Sequence, residues 1–323
     1  MQYRKLGNSN IKISVLGLGT WAFGADSWWG YQNNRDSFDV LDGAISSGIN
    51  LIDTAPVYGR GHSEEVIGEF LRQRQTHDNI IIATKLGLSW EGRKISHDLS
   101  EKRMLQEIDD SLRRLNLDHI DLYQVHWPDP ATPIAQTAAV MHSLYQKKII
   151  RAVGVSNYSV EQMTEFIKHC PLHCLQTEYS MFSRDIENNI VPFCAENNIA
   201  IITYAPLYSS ILTGKFFLDN VKIPGDINRK IKKIEMEEPR YTINRETLLS
   251  LKSIAVSYGK TLTQMVINWN FSHEGITSAI VGMRAKEQLE ENLGSVEWTI
   301  SDIDMQKIDE ILKDRLERIA AAS

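Results

Sequence analysis

Short β-branched apolar runs alternate with amphipathic helical patterns along nearly the whole chain, and this alternation constrains the fold more than any other feature. Eight runs read as strands: Val15–Gly19, Asn50–Asp53, Ile80–Thr84, Ile120–Val125, Arg151–Val155, Cys174–Thr177, Ala200–Tyr204 and Ser278–Gly282. Between them, apolar residues recur at spacings of three and four, as in Leu105, Ile108, Leu112 and Leu115, or Val66, Ile67, Phe70 and Leu71. Ser63 before Glu64 and Glu65 reads as a helix start, its hydroxyl capping and the carboxylates favouring the positive end. Alternation of this kind implies parallel strands joined by right-handed crossovers. Eight units predict a closed (β/α)8 TIM barrel, one domain over residues 1–323. The alternative is an open doubly wound sheet. Its dinucleotide fingerprint is poorly matched, because Gly17 to Gly24 reads G-x-G-x-x-x-x-G, too long for the usual turn, and leads into a loop.

Three stretches fall outside the eight units. Residues 3–14, centred on Asn8-Ser9-Asn10, read as a hairpin; residues 205–244 form a long insertion, followed by an extra helix near 245–258; and a C-terminal helix starts near Ser301 and runs to about Ile319. Long loops in a compact barrel are usually functional. A net charge of −6 argues against nucleic acid as a partner, and the basic run Arg229-Lys230-Lys232-Lys233, followed by Glu235, Glu237 and Glu238, reads as a solvated face. The N-terminus leads into a polar turn, and no run reaches the length of a membrane span, so neither a signal peptide nor a membrane partner is expected. Three cysteines, Cys170, Cys174 and Cys194, fit a reducing, cytoplasmic compartment. His169-Cys170-Pro171-Leu172-His173-Cys174 has the residue types of a metal site, but Pro171 disrupts helical pairing and no second ligand pair lies near; it reads as a connecting loop, and no metal is expected.

Charged and polar residues sit abruptly at the ends of the apolar strands. Asp53 ends the second, Lys85 the third and His126 the fourth, and Tyr58 follows the second by five residues. In a barrel these strand ends converge on one mouth. Each residue has an ordinary alternative: a turn cap, a solvent-reaching lysine, a loop histidine, a packing aromatic. Four together on one rim point to chemistry. Carbonyl reduction needs a proton donor at oxygen as hydride arrives at carbon; Tyr58 can be that donor, Lys85 the cation that strengthens it, Asp53 the holder of the ammonium, and His126 a hydrogen-bond donor to the substrate oxygen.

The segments carrying these residues resemble the aldo-keto reductase superfamily. Leu51-Ile52-Asp53-Thr54-Ala55-Pro56-Val57-Tyr58-Gly59, continuing to Ser63-Glu64-Glu65-Val66-Ile67-Gly68, is similar to its first signature, and Ser111 to Leu115 through Asp121 to Pro128 to its second. The match runs in order from about residue 3 to 312, and Leu212-Thr213-Gly214-Lys215 with Gly282 is most similar to bacterial reductases related to potassium-channel β subunits. The resemblance implies that Asp53, Tyr58, Lys85 and His126 are catalytic and that the cofactor is NADPH/NADP+. It implies that Ser156, Asn157 and Gln176 grip the nicotinamide carboxamide, that Tyr204 stacks on the ring, and that Gly19, Thr20 and Trp21 line the floor. Ala205, Pro206, Leu207, Gly214 and Lys215 would strap the pyrophosphate, with Gly282, Arg284, Gln288, Glu291 and Asn292 at the adenosine end.

Relatives often carry basic residues where Gly282 and Gln288 stand, which leaves the 2′-phosphate to Arg284 and to backbone N–H groups of a helix near 285–293. Ala205 stands where a serine is common. Two other functions compete. A regulatory, cofactor-holding subunit would keep the same residues, whereas a metal-dependent hydrolase would need several histidine or carboxylate ligands at strand ends; no H-x-H occurs, and His126 is the only histidine ending a predicted strand. Trp21, Phe23, Trp28, Trp29 and Tyr31 on the first loop, with Trp127 beside His126, predict an apolar wall. The expected partner is a small carbonyl compound, aromatic or medium-chain in preference to a sugar, touching Trp21, Trp29, Tyr58, His126 and Trp127.

Overall fold

The computed structural model describes residues 1–25, 29–75, 79–92, 94–219, 221–222 and 233–322. Eight parallel strands close into a barrel. They are β1 (Leu16–Gly19), β2 (Leu51–Asp53), β3 (Ile81–Leu86), β4 (Ile120–Val125), β5 (Ile150–Ser156), β6 (Cys174–Glu178), β7 (Ala200–Tyr204) and β8 (Ile276–Gly282), and β8 pairs with β1 to complete the ring. The helices after β1 to β6 are α1 (Asn34–Ser46), α2 (His62–Arg74), α3 (Glu101–Leu115), α4 (Ile134–Gln146), α5 (Val160–Ile167) and α6 (Ile190–Glu196). Later in the chain come α7 (Arg240–Ser257), α8 (Leu262–Ser272), α9 (Lys286–Leu293) and α10 (Asp302–Ala321). Every predicted strand is present, with ends shifted by a residue or two. The extra helix begins at Arg240, earlier than the sequence pattern indicated, because Ile243, Thr247, Leu248 and Leu251 already form a buried face there.

Two apolar clusters hold the barrel. The larger lies between strands and helices. The smaller fills the N-terminal end of the barrel interior with Leu51, Ile81, Ala83, Leu122, Ala152, Cys174, Ala200, Ile202 and Ile280. The predicted hairpin, Tyr3–Lys5 paired with Lys12–Ser14, plugs that end by adding Leu6, Ile11 and Ile13 to the cluster. Side chains on a strand alternate between faces, so stepping by two from these apolar residues reaches the next inward layer. Leu51 leads to Asp53, Ala83 to Lys85, Leu122 to Gln124, Ala152 to Gly154 and Cys174 to Gln176. The bottom of the barrel is apolar and the top is polar, and that gradient puts the site at the strands' C-terminal ends.

One element was absent from the sequence reading. After β3, Leu88–Glu91 and Lys94–His97 form an antiparallel hairpin, its tip held where Arg60 donates to the Gly92 carbonyl at 2.5 Å. Ser63 also differs from its expected place. Helix α2 starts at His62 behind Gly61, and the Ser63 hydroxyl makes no cap. Instead it donates to the Thr20 carbonyl at 2.9 Å and meets the hydroxyls of Thr20 and Thr54, joining the loops after β1 and β2.

Candidate active site

Asp53, at the end of β2, is the hub of the polar layer. The buried Lys85 ammonium, from β3, donates to both its oxygens at 2.9 and 2.7 Å, to the Thr54 carbonyl at 2.9 Å and to the Tyr58 hydroxyl at 3.3 Å. An ammonium carries three N–H groups, so Lys85 is fully committed to the carboxylate, the carbonyl and the phenol. Because Lys85 donates to Tyr58, the phenol oxygen is the acceptor there, and its own proton is directed elsewhere. Burial lowers the ammonium's pKa, but Asp53 and Tyr58 outweigh that, holding it above the ordinary lysine range.

Tyr58 stands on a turn in which Gly59, Arg60 and Gly61 all have positive φ. Gly59 meets Gly24 backbone to backbone: a Cβ on Gly59 would lie 2.1 Å from the Gly24 carbonyl oxygen, and one on Gly24 would lie 2.5 Å from the Gly59 nitrogen. The glycine at the end of the G-x-G-x-x-x-x-G run therefore serves loop packing. Burial raises the Tyr58 hydroxyl above the usual tyrosine range despite the pull of Lys85, so the phenol keeps its proton at neutral pH. The sequence reading expected Lys85 to win; removal from water is the larger effect.

His126 follows β4, with its ring edge-on to Tyr58 at a centroid separation of 6.1 Å. Burial, then the charges of Lys85 and His97, hold its imidazole well below the ordinary histidine range. It is therefore neutral near pH 7 and offers one N–H. All four predicted catalytic residues come together, two as a charged pair and two as neutral groups facing one another.

The residues assigned to the cofactor divide into two groups. Asn157 bridges β4, β5 and β7: its amide donates to the His126 carbonyl at 3.1 Å and to Ser156 Oγ at 3.0 Å, and it accepts from the Tyr204 hydroxyl at 2.8 Å. Gln176 donates to Asp53 at 2.8 Å and to Gln124 at 3.4 Å, leaving its carbonyl as the group able to meet a carboxamide. Thr20 is fully buried and turns its hydroxyl to the Asp53 carbonyl at 2.9 Å, so of the predicted floor residues Gly19 and Trp21 remain partly exposed. Beyond β7, Ala205 has positive φ, and Tyr208, Ser209 and Ser210 adopt positive φ in succession, with Gly214 ending the turn after Ile211 to Thr213. Runs of strained L-residues persist where function requires them, and left-handed turns direct N–H groups toward anions. This is the segment of Pro206, Leu207 and Lys215, and Ser209 and Ser210 were not singled out from sequence.

At the β8 end, Gly282 is exposed, and a Cβ there would meet only the Gly19 carbonyl, at 3.9 Å. Gln288 accepts from the Arg284 N–H at 2.7 Å, Glu291 is bonded to Thr261 at the start of α8, and Asn292 is buried. Arg284 differs from the expectation of a guanidinium held open for phosphate: it donates to Trp29, Tyr31 and Gln32 of the first loop. The open floor at Gly282, the left-handed turn after β7 and the free-facing carbonyl of Gln176 together fit an extended dinucleotide.

Of the aromatics expected to form a wall, Trp21 and Trp29 pack toward Tyr58, whereas Phe23 is fully buried in the core between strands and helices and Tyr31 is 83% exposed. Trp21 stacks on Tyr58 at 5.6 Å, and Trp29 meets Trp21 edge-on at 5.7 Å. Trp127 is 40% exposed beside His126. Trp28 lies outside the described residues, as do Arg229, Lys230 and Lys232 of the basic run. Gln124 was missed. It lies flat across β5, where a Cβ on Gly154 would come within 2.7 Å of its side chain, and it reaches Asp53 at 3.4 Å. Period-two counting back from His126 could have found it. Asp129, three residues after His126, accepts from the N–H groups of Leu99 and Ala131 and the Thr132 hydroxyl. His173 of the His/Cys run accepts the Val153 N–H at 3.0 Å, and among the described residues no group of three or more metal-ligating side chains is gathered. Nor is any described helix long and apolar enough to cross a membrane.

The family profile described as "Aldo/keto reductase family" matches residues 15–313. The chain belongs to the aldo/keto reductase family. Its members act on small carbonyl compounds and their alcohols with nicotinamide cofactors. The aldo-keto reductase YhdN of Bacillus subtilis is 36% identical over 317 residues, covering 98% of this chain and 95% of that protein. The NADH-specific methylglyoxal reductase of Escherichia coli is 32% identical, covering 97% and 98%. The solved structure of glycerol dehydrogenase AKR11B4 from Gluconobacter oxydans superposes with a TM-score of 0.88 at 34% identity, covering 97% and 95%. This aldo/keto reductase therefore resembles in sequence a reductase named for NADH, and in architecture an enzyme named as a dehydrogenase.

Proposed function

We propose that this protein is a cytoplasmic enzyme that reduces aldehydes and ketones to alcohols with NADPH, Tyr58 serving as the proton donor. The observation that carries the reading is the direction of one hydrogen bond. Lys85 donates to Tyr58, which frees the phenol proton for a carbonyl oxygen lodged between Tyr58 and His126. A bound reduced nicotinamide supplies the hydride to the carbonyl carbon. Tyr58 gives its proton to the oxygen; as it does so, negative charge grows on the phenolate, where the Lys85 ammonium already points. Asp53 keeps that ammonium charged, and the neutral His126 donates to the same oxygen without competing for the proton. Asn157, Ser156 and the Gln176 carbonyl would orient the carboxamide.

NADPH is favoured over NADH because Arg284 stands at the start of α9, where a guanidinium and helix N–H groups suit a phosphate. Three unpaired, buried cysteines suit a reducing compartment. The decisive experiment follows cofactor oxidation with NADPH and NADH against aldehydes, ketones and sugars. Steady multiple turnover of an aldehyde is expected, faster with NADPH. Cofactor binding without turnover of any carbonyl would instead identify a regulatory subunit.

A further inference from the structure

We propose that Arg284 is a positioning residue for the substrate wall, clamping the first loop so that Trp29 and Trp21 stay packed toward Tyr58. The inference rests on the reductase reading, which gives Arg284 only a cofactor role.

Arg284 lies two residues beyond β8, and the loop it holds lies at the other end of the sequence. Its Nη1 donates to the Trp29 carbonyl at 2.8 Å, its Nη2 to the Tyr31 carbonyl at 2.6 Å, and its Nε to Gln32 Oε1 at 3.0 Å. The buried Gln32 returns a bond from Nε2 to the Arg284 carbonyl at 3.0 Å. The exchange is reciprocal, and all three guanidinium nitrogens take part. A planar fork with fixed donor directions can hold two carbonyls and an amide at once; a lysine cannot.

What the clamp holds is the start of the wall. Trp29 carries both the clamped carbonyl and the ring that meets Trp21 edge-on, and Trp21 in turn stacks on the proton donor. Phe23 anchors the start of the loop in the core, but Trp21 is 41% exposed and Tyr31 83% exposed, so apolar burial fixes the outer part of this loop weakly. Directed bonds to its backbone replace that missing packing. A carbonyl compound large enough to lie on the Trp29 and Trp21 rings would depend on the clamp; one that reaches only Tyr58 and His126 would not. Among the described residues the three bonds engage three of five N–H groups, so a phosphate could be met by the same guanidinium without releasing the loop.

The test uses NADH, which has no 2′-phosphate to lose. With NADH, Arg284→Ala, Arg284→Lys and Gln32→Leu should each raise KM for 4-nitrobenzaldehyde about fivefold or more, the scale of one or two lost hydrogen bonds. Gln32→Leu should leave kcat, and KM for propanal, within about twofold, and in the two Arg284 variants the KM ratio of 4-nitrobenzaldehyde to propanal should rise by the same factor. Arg284→Lys keeps the charge a phosphate needs and loses the fork, so it separates the clamp from phosphate reading. Near-ultraviolet circular dichroism provides a readout independent of turnover: the signal that Trp29→Phe removes from the wild type should also be lost in all three variants. Unchanged nitrobenzaldehyde KM with NADH together with an unchanged tryptophan signal would overturn the proposal, even if NADPH affinity falls. Failure of the wild type to reduce either aldehyde would sink the reductase reading, and the dichroism would then decide the clamp alone.

Discussion

The two sides of the barrel mouth are built on different plans. On the side of β2 to β4, polar atoms are tied to other protein atoms: Lys85 spends its ammonium on Asp53, Thr54 and Tyr58, while Gln124, and Gln176 reaching across from β6, converge on the same carboxylate. On the side of β7 and β8, the backbone holds a left-handed run at Tyr208 to Ser210, and the floor at Gly282 is open and exposed. One side is an assembled circuit, the other a surface shaped for something long. Charges that stabilise a transition state must be in place before reaction, because reorganising them would cost part of their effect. A cofactor that enters and leaves needs reachable N–H groups and room.

The largest expected effect strikes the assembled side. Tyr58→Phe should lower kcat by about 10²–10⁴-fold, the span of general acid catalysis, with cofactor affinity nearly unchanged. Turnover within tenfold of wild type would remove Tyr58 from its role. Lys85→Met should be as damaging to kcat and should also cost about 3–5 kcal/mol in urea unfolding, since Asp53 would be left as an uncompensated buried charge. If unfolding is unchanged, the circuit is looser than its distances indicate.

A second probe of that side reads pH. Behind β3, the buried Glu107 accepts the Gly87 N–H at 2.9 Å and faces Arg103, Glu64, Arg114 and Tyr123. Burial pushes its carboxyl from 4.5 up to about 7. Between those values the unfolded chain releases a proton that the folded chain keeps, so this contribution is full below pH 4.5 and is lost as pH rises through 7. The loss is on the order of 3 kcal/mol at most. Glu107→Gln, which still accepts the Gly87 N–H, should flatten the decline between pH 5 and 8 seen in wild-type unfolding. Parallel curves for the two proteins would mean that Glu107 is ionised in the fold.

The open side should respond through affinity. Arg284→Ala should weaken NADPH by about 1.5–3 kcal/mol, the scale of a charged hydrogen bond, and barely change NADH affinity. Equal losses for both would move the phosphate reading to Lys215, which sits after the strained turn.

The same contrast separates what the sequence made legible from what it hid. The barrel followed from the eight runs, and the gathering of Asp53, Tyr58, Lys85 and His126 followed from polar residues at and just beyond the ends of apolar strands. Each such signal is local: a hydrophobic period and the point where it stops. Gln124 was legible too, two residues before His126 on the same face, but a glutamine within an apolar strand draws less notice than a charge. Ser63 looked like a cap because cap chemistry and cross-loop bonding use the same hydroxyl. The hairpin from Leu88 to His97 is short and largely exposed, so it carries little apolar pattern. Arg284 could not have been placed by any local rule. Its acceptors include backbone carbonyls at the far end of the chain, and a carbonyl has no residue identity to read.

The smallest effect concerns the wall between the two sides. Trp29 and Trp21 pack toward Tyr58 from the first loop, and the half-exposed Trp127 follows His126, so a carbonyl held by Tyr58 and His126 would meet indole surface beside Tyr58, with a further indole one residue from His126. Flat apolar faces reward an aromatic or medium-chain aldehyde with stacking and burial, and offer little to the hydroxyls of a sugar. The kcat/KM for 4-nitrobenzaldehyde should therefore exceed that for an aldose after correction for the free aldehyde fraction. Trp127→Ala and Trp29→Ala should each narrow the ratio by about 0.5–1.5 kcal/mol, the worth of one aromatic contact beyond its area. Trp127→Ala should act with either cofactor and independently of Arg284, because it lies on the β4 side of the mouth. A ratio that favours the aldose, or one that neither substitution moves, would show that selectivity comes from the assembled polar side alone.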